Sequence, residues 1–580
     1  MNLHPQIFEA LNALKSGSDL RGVALSKPDT PNSTLLTLST PAVYAIACAL
    51  PKHLSAKCQK PIDELSIAIG HDSRLSAQRI EAALIEGLIA SGVKQVRRLG
   101  LAATPALFRV CQDAASTPSR SNTTAEQPNT SATSASPAVS SYPTYEAADA
   151  GIMLTASHLP MERNGLKFFT QSGGFDHADL EAVLSYVETD LELSLNRLES
   201  LLPGASYVGT SLQAFQAETP ELDRRLLASL DCSIAERKVV SDPFMHFYAQ
   251  SLRQTIAQAF DDKDQEQPLK GYKILVDAGN GAGGFFVKDV LEVLGANCEG
   301  SLYLEPDGHF PNHIPNPELP AAILPLAKAV PQAQADLGII FDTDVDRVAL
   351  IAPDGREINR NRLIGLICAI LVDEEPDLLC VTDSVTSSEL SDFLKSIGVT
   401  HYRWRRGYRN VISQAQLLWA QGQNAQIAIE TSGHAALREN DYLDDGAYLA
   451  CRILAALAKG KREGQDLLRR LDTLQEPEYQ NERRFEFAPK YVGGPEVAAI
   501  IEDLTSALEQ GLYPGWSIDP ENREGIRIQV SGEKACWMLL RASLHDPQLV
   551  LNTEGPEALA PLNEETLTKL IEARLLPLKS

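Results

Sequence analysis

In the run LTASHLPMERNGLKFFT, residues 154–170, Ser157 and His158 stand side by side in a polar stretch between two apolar strand-like segments, with Asn164-Gly165 as a turn before the second. A serine hydroxyl is a weak nucleophile until a base or a positive charge activates it, and His158 and Lys167 are the nearby candidates. The run ADLGIIFDTDVDRVALIAPDG, residues 335–355, sets three carboxylates, Asp342, Asp344 and Asp346, at alternating positions after an apolar strand. Their mutual repulsion is costly unless a cation sits among them. Arg347 at the sixth loop position and Pro353 at the twelfth exclude an EF-hand, so the trio predicts a compact oxygen site for Mg²⁺. The competing reading is a solvated acidic turn.

Two later runs add recognition chemistry. IAIETSGHAALRENDYLDDGAYL, residues 427–449, places Glu430, Ser432 and His434 after an apolar strand, where Ser-Gly bends the chain so that the side chains converge. A carboxylate with a hydroxyl suits the paired hydroxyls of a sugar; a helix cap with a surface histidine is the alternative. LLRASLHDPQL, residues 539–549, presents Arg541, Ser543 and His545 in a tight loop ending at Pro547. Arginine donates a two-pronged hydrogen bond to phosphate oxygens, so this loop reads as a phosphate clasp.

The elements that must position these loops repeat three times. A short apolar strand, a polar or glycine-rich turn, a helical stretch, then a glycine opening a second strand recur as SIAIG to VKQVRRLG, as KILVD to ANCEGSLYL and as LLCVTD to VTHYRW. Strand, crossover helix and parallel strand predict three α/β domains on one plan. From Glu476 the pattern changes to a GGPE turn, a helix through Leu508 and the strand-like runs GIRIQV, CWMLLRAS and LVLNTE, which predicts a smaller α+β domain. The expected boundaries are 1–238, 239–357, 358–475 and 476–580. Residues 114–141 are dominated by Ser, Thr, Ala, Pro and Asn and cannot bury enough surface to offset ordering entropy, so a disordered insertion is expected there.

At 580 residues the chain is too long for one core. Fifty-two basic residues against seventy-six acidic ones give a net charge of −24, which repels nucleic acid and anionic lipid, so neither is an expected partner. Nine cysteines without a C-x-x-C pair fit reduced thiols better than a zinc cluster or a disulfide framework. With no apolar span or signal-type segment, a cytoplasmic chain is expected.

The order and spacing of the four loops resemble the α-D-phosphohexomutase family over nearly the whole chain. TASHLP is similar to that family's phosphoserine loop, DTDVDR to its metal loop, ETSGH to its sugar loop, and RASLHDP sits where its phosphate loop belongs. SDLRG around Arg21, GHDSRLS at 70–76, NGLK ending at Lys167 and DGHFPNHIPNPE at 307–318 are lesser matches. Thr343 and Val345 stand where the metal loop usually has glycines, Leu544 and His545 depart from the phosphate loop, and arginines surround Gly407 in RWRRGYRN.

The resemblance implies three related α/β domains with mixed sheets and a smaller α+β domain around a central cleft. It further implies an intramolecular phosphotransferase, of the phosphoglucomutase or phosphomannomutase kind, acting on a hexose phosphate. A phosphorylated Ser157, one Mg²⁺ held by Ser157, Asp342, Asp344 and Asp346, and glucose 1,6-bisphosphate as activator go with it. Arg347 and Arg21 join His158 and Lys167 as catalytic candidates, and the chain is expected as a monomer or homodimer. The rival readings are a haloacid-dehalogenase-type phosphatase or mutase using Asp342 as nucleophile, and a catalytically silent sugar-phosphate binder.

Overall fold

The computed structural model describes residues 4–26, 35–112, 145–201, 211–261, 266–488, 491, 494–531, 536–543 and 547–578. The insertion at 114–141 lies outside them, as do Leu544 and His545.

The first three sheets share one order. In the first, Gln95–Leu101, Ser66–His71 and Ala150–Leu154 run parallel and Arg163–Thr170 follows antiparallel. In the third, Thr400–Arg403, Leu379–Thr382 and Ala425–Ile429 are parallel and Ala435–Leu437 antiparallel. In the second, Ile274–Asp277 and Leu337–Phe341 are parallel and Val348–Ile351 antiparallel. Each last parallel strand (AGIML, LGIIF, AQIAI) is buried along its whole length. Strands covered on both faces read as continuous apolar runs, which is why all three are visible in the sequence. The hairpin leaving each of them carries Ser157, the acidic trio, or Glu430 through His434. Three chemically distinct loops are therefore topological equivalents at the carboxyl ends of parallel strands, where open α/β sheets bind ligands.

The second sheet departs from the expected plan. The run ANCEGSLYL forms only the bridges Lys273 to Asn297 and Asp277 to Leu302, and the preceding helix is a π-type turn, Phe286–Leu291. Gly284 leaves no room for a side chain, since a Cβ there would meet Leu304 O at 2.4 Å, so the segment crosses too close to its neighbour for a regular helix and ladder. Val239–Ser241, expected in the second domain, pairs parallel with Gln95–Leu101 and edges the first sheet.

The C-terminal sheet is antiparallel in the order Tyr479–Glu486, Gln548–Gly555, Cys536–Ala542, Ile526–Val530, Trp516–Ile518. Its core, built on residues such as Leu504, Ile528, Leu551 and Ile571, is its own. A second cluster runs continuously from Ala68 through Phe286 and Ile367 to Leu474 and joins the first three units. Among the described residues, Val385, Trp537 and Leu539 form a small apolar bridge between the third and fourth units, alongside polar contacts such as Arg527 Nη1 on Ser384 O at 2.8 Å. Small, polar seams of this kind permit relative motion. All nine cysteines are free, and among the described residues no helix is long and apolar enough to cross a membrane.

Candidate active site

Ser157 adopts φ 51°, a left-handed conformation unusual for a residue with a Cβ, and a closed circuit of hydrogen bonds holds it there. Thr155 Oγ1 accepts from Ser157 N at 2.8 Å and donates to Asp72 Oδ2 at 2.7 Å; Asp72 Oδ2 accepts from Arg74 Nε at 3.2 Å; Arg74 Nη2 donates to Ser157 O. The same guanidinium donates to Leu159 O, Pro160 O and Arg163 O, so one buried arginine folds the entire loop. The Ser157 hydroxyl is thereby aimed at the second domain. It donates to Asp342 Oδ2 at 2.9 Å, accepts from Arg347 Nη2 at 3.1 Å and lies 3.3 Å from His158 Nδ1. Burial, then Arg347 and Arg21, push the His158 imidazole well below its ordinary pKa, so the ring is neutral.

Asp342, Asp344 and Asp346 are all buried, which excludes the solvated acidic turn. Lys167 Nζ donates to Asp344 Oδ2 at 2.9 Å and Asp346 Oδ2 at 2.7 Å, Thr104 Oγ1 donates to Asp344 Oδ2, and Arg347 Nε donates to Asp342 Oδ2 at 3.1 Å. Lys167 and Arg347 are thus hydrogen-bonded to the three carboxylates. Burial, then Asp346 and Asp344, drive Asp342 well above the carboxylate range. Asp344 Oδ1 and Asp346 Oδ1 are buried without a hydrogen-bond partner, and the trio offers ligand atoms within 4.8 Å of one another. Orphaned hard oxygens around excess negative charge fit a divalent cation such as Mg²⁺. Val345 sits between them at φ 67°, a strained angle for a β-branched residue that its full burial maintains.

The sugar-loop candidates divide. Glu430 Oε1 accepts from Gly407 N at 2.6 Å, and Ser432 Oγ approaches Glu430 Oε2 at 3.4 Å; burial, then Asp383, raise the carboxyl to about 7. His434 turns instead toward the acids, with Nδ1 2.7 Å from Asp444 Oδ2 and 3.8 Å from Asp346 Oδ1, its ring stacked on Tyr408. Burial opposes its charge, but Asp444 and Asp346 outweigh burial and lift it to about 9, so it is a countercharge to these carboxylates. Backbones interlock here: Val348 N donates to Gly433 O, and Gly433, at φ 93°, would place a Cβ 2.7 Å from Val348 O.

Arg541 is the penultimate residue of the strand Cys536–Ala542, buried, with Nε unpartnered. Ser543 follows it, its N donating to Gln548 O at 2.8 Å. Arg21 is bound to Asp19 through Nε at 3.1 Å and Nη2 at 2.6 Å, beside the site rather than on the hydroxyl.

Arg74, Thr104 and Glu318 escaped the sequence reading as site residues, whereas Arg406 is one of the arginines around Gly407 that it singles out. Glu318 lies 3.6 Å from both Arg347 Nη1 and Arg406 Nη2. Arg74 and Glu318 stood inside the quoted runs GHDSRLS and DGHFPNHIPNPE, which were the available signal; Thr104, whose backbone N also donates to Asp344 O, had none.

Models of the phosphoglucomutase/phosphomannomutase alpha/beta/alpha domains match the chain in order: domain I over residues 15–116 and 126–192, domain II over 246–355 and domain III over 359–474. A Pseudomonas putida protein named phosphomannomutase/phosphoglucomutase is 25% identical over 500 residues, 85% of this chain and 84% of that one. A Methanocella arvoryzae protein named probable phosphoglucosamine mutase is 26% identical over 513 residues, 88% of this chain and 91% of that one. The crystal structure of a phosphoglucomutase/phosphomannomutase family protein from Burkholderia thailandensis covers 97% of each chain with a TM-score of 0.67 at 20% identity.

Proposed function

Since the chain belongs to the phosphoglucomutase/phosphomannomutase family, we propose that it moves a phosphoryl group between O1 and O6 of a hexose phosphate by way of Ser157. The observation that carries this reading is the Ser157 hydroxyl wedged between Asp342 and Arg347 at the edge of a buried acidic trio. A haloacid-dehalogenase reading fails here: the Asp342 carboxylate is already engaged by a serine hydroxyl and a guanidinium, and the family match supports mutase chemistry over it and over a silent binder.

In the proposed cycle, phosphorylated Ser157 gives its phosphoryl group to the free hydroxyl of a bound hexose monophosphate, and the other phosphate of the resulting 1,6-bisphosphate returns to Ser157 after the intermediate turns over. Phosphoryl transfer asks the protein for positioning and charge stabilisation. Arg347 Nη2, already on Ser157 Oγ, meets the charge developing on the transferring group. His158, neutral and 3.3 Å away, is the group placed to take or return a proton. Lys167 holds two carboxylates whose charges outweigh its burial and keep its pKa well above the ordinary value, so it serves as fixed charge. One Mg²⁺ on Asp342, Asp344 and Asp346, with a Ser157 oxygen, would supply electrostatic stabilisation of phosphoryl oxygens when bound. Glu430 and Ser432 accept and donate to sugar hydroxyls, while Arg541, with Ser543 and His545, holds the phosphate away from Ser157.

A pair reading the 3- and 4-hydroxyls treats glucose and mannose alike, so both 1-phosphates are expected substrates. The test is turnover of glucose 1-phosphate and mannose 1-phosphate with Mg²⁺ and a trace of glucose 1,6-bisphosphate, read by a coupled dehydrogenase. Conversion by the wild type and none by Ser157→Ala supports the proposal; equal conversion by both overturns it.

A further inference from the structure

Asp344 is held from outside its own domain. Its loop leaves the strand Leu337–Phe341 of the second domain, yet the donors on its carbonyl and on its carboxylate belong to the first. Thr104 N donates to Asp344 O at 2.8 Å, Thr104 Oγ1 donates to Asp344 Oδ2, and Lys167 Nζ donates to the same oxygen at 2.9 Å. From the other side Ala282 N donates to Thr343 O at 2.8 Å, where Gly281 comes so close that a Cβ would meet Thr343 O at 2.6 Å. The carbonyls of the two peptides flanking the Asp344 α-carbon are thus pinned, one by each domain.

Thr104 is available for this because of where its helix begins. It opens the helix Thr104–Arg109, just past the strand Gln95–Leu101, so its N–H has no acceptor within the helix and needs one outside. Pro105, the next residue, has no N–H to compete for the same carbonyl. Thr104 is buried, and Ala103, Ala106 and Leu107 beside it belong to the same apolar cluster as Phe341 and Val345. The donor and the loop it serves are therefore rooted in one core.

The two carboxylate oxygens divide accordingly. Asp344 Oδ2 takes both side-chain donors, and Asp344 Oδ1 is buried with none. A carboxylate with one oxygen pinned twice holds the other in a fixed direction. The carbonyl that Thr104 N holds also precedes Val345, so the same contact secures the strained φ of 67° between Asp344 and Asp346. Packing does not close this side of the trio, because Thr104, Lys167 and Asp346 border a cavity of about 170 Å³. Hydrogen bonds fix the direction there.

We propose that Thr104 is a positioning residue for the divalent cation: from the first domain its hydroxyl and amide hold Asp344 with Oδ1 turned to the metal, so the site has full affinity only while the first and second domains are docked. The assignment rests on the metal site of the mutase reading above. Lys167 does not do the same work, since its charge is shared between Asp344 and Asp346, whereas the Thr104 hydroxyl makes one directed bond to a single carboxylate. Removing that hydroxyl leaves Asp344 Oδ2 on Lys167, so a variant loses orientation without burying an unpaired oxygen there.

The test titrates Mg²⁺ by calorimetry into the full-length enzyme with Ser157 unphosphorylated, then into Thr104→Val, which keeps the amide bond and a similar shape, and Thr104→Ser, which keeps the hydroxyl. Removing a group that orients a metal ligand is expected to raise the Kd for Mg²⁺ about tenfold or more in the Val variant, with the Ser variant within about twofold of wild type. Thermal melts separate positioning from stability: the rise in midpoint on replacing EDTA by Mg²⁺ should be smaller for Val than for wild type or Ser. A Val variant with wild-type Kd and only a lower midpoint in EDTA overturns the role of Thr104 and leaves the mutase reading standing, as does a Ser variant that binds as weakly as Val. No Mg²⁺ binding by the wild type overturns the metal site together with the proposal. Should Thr104→Val fail to fold, Thr104→Ala takes its place, and a Kd equal to that of Thr104→Ser refutes the proposal.

Discussion

Ser157 Oγ donates to Asp342 Oδ2 across 2.9 Å, although 185 positions separate the two residues. The contact joins equivalent hairpins of two domains and sets a hydroxyl against an anion. Once Ser157 carries a phosphoryl group, that neighbour repels it unless cations intervene. Arg347 supplies one, and the unpartnered oxygens of Asp344 and Asp346 mark the place of another.

Metal dependence should therefore appear in stability as well as rate. After dialysis against EDTA, adding Mg²⁺ is expected to raise the unfolding midpoint, the native state gaining about 2.7 kcal/mol of stability at a hundredfold excess over Kd. Asp344→Asn should lose most of this increment, read by thermal melts with and without Mg²⁺. An undiminished increment in the variant would place the cation elsewhere.

Arg74 folds the serine loop by serving four carbonyls and Asp72, and Arg74, Asp72 and Ser157 are buried. Arg74→Met leaves Asp72 as a buried unpaired charge and should cost about 3–5 kcal/mol in a denaturant melt. Arg74→Lys keeps the charge without the fork, so the loop misplaces Ser157 and kcat should fall about 100-fold with little change in KM. A Lys variant with wild-type kcat would show that the circuit does not position the nucleophile.

Glu430 gives the site a pH limb. Burial and Asp383 raise its carboxyl from 4.5 to about 7, so below pH 7 it takes up a proton and loses acceptor capacity for sugar hydroxyls. On lowering the pH through about 7, kcat/KM should decline, and Glu430→Gln should remove that limb while lowering kcat/KM throughout. The sign for folding is the reverse: between 4.5 and about 7 the native state binds this proton more tightly than the unfolded chain, so Glu430 makes the protein less stable as pH rises through that window. A pH profile unchanged in the Gln variant would assign the limb to another group.

What the sequence disclosed and what it hid follow from range. The acidic trio and the serine loop were legible because buried parallel strands write continuous apolar runs ending at the residues they deliver. Tyr479–Glu486 went unseen because, as an edge strand with mostly exposed side chains, YQNERRFE has little apolar alternation. Helix Ala560–Leu575 confines its apolar stripe, Leu567, Ile571 and Leu575, to its second half, after the polar run NEET. Thr104 acts through a partner that only folding brings near, reaching Asp344 across 240 positions. His434 was read as a sugar contact from its place beside Glu430, whereas the carboxylates of Asp444 and Asp346, one of them in another domain, decide its direction.

The most direct test is to find where the phosphoryl group resides. The purified protein is incubated with Mg²⁺ and glucose 1,6-bisphosphate, digested, and mapped by mass spectrometry with and without hydroxylamine. A single phosphate on the peptide containing Ser157, resistant to hydroxylamine and absent from Ser157→Ala, is the predicted result. A hydroxylamine-labile phosphate on the peptide containing Asp342, or a turnover-competent enzyme with Ser157 unmodified throughout, would contradict it.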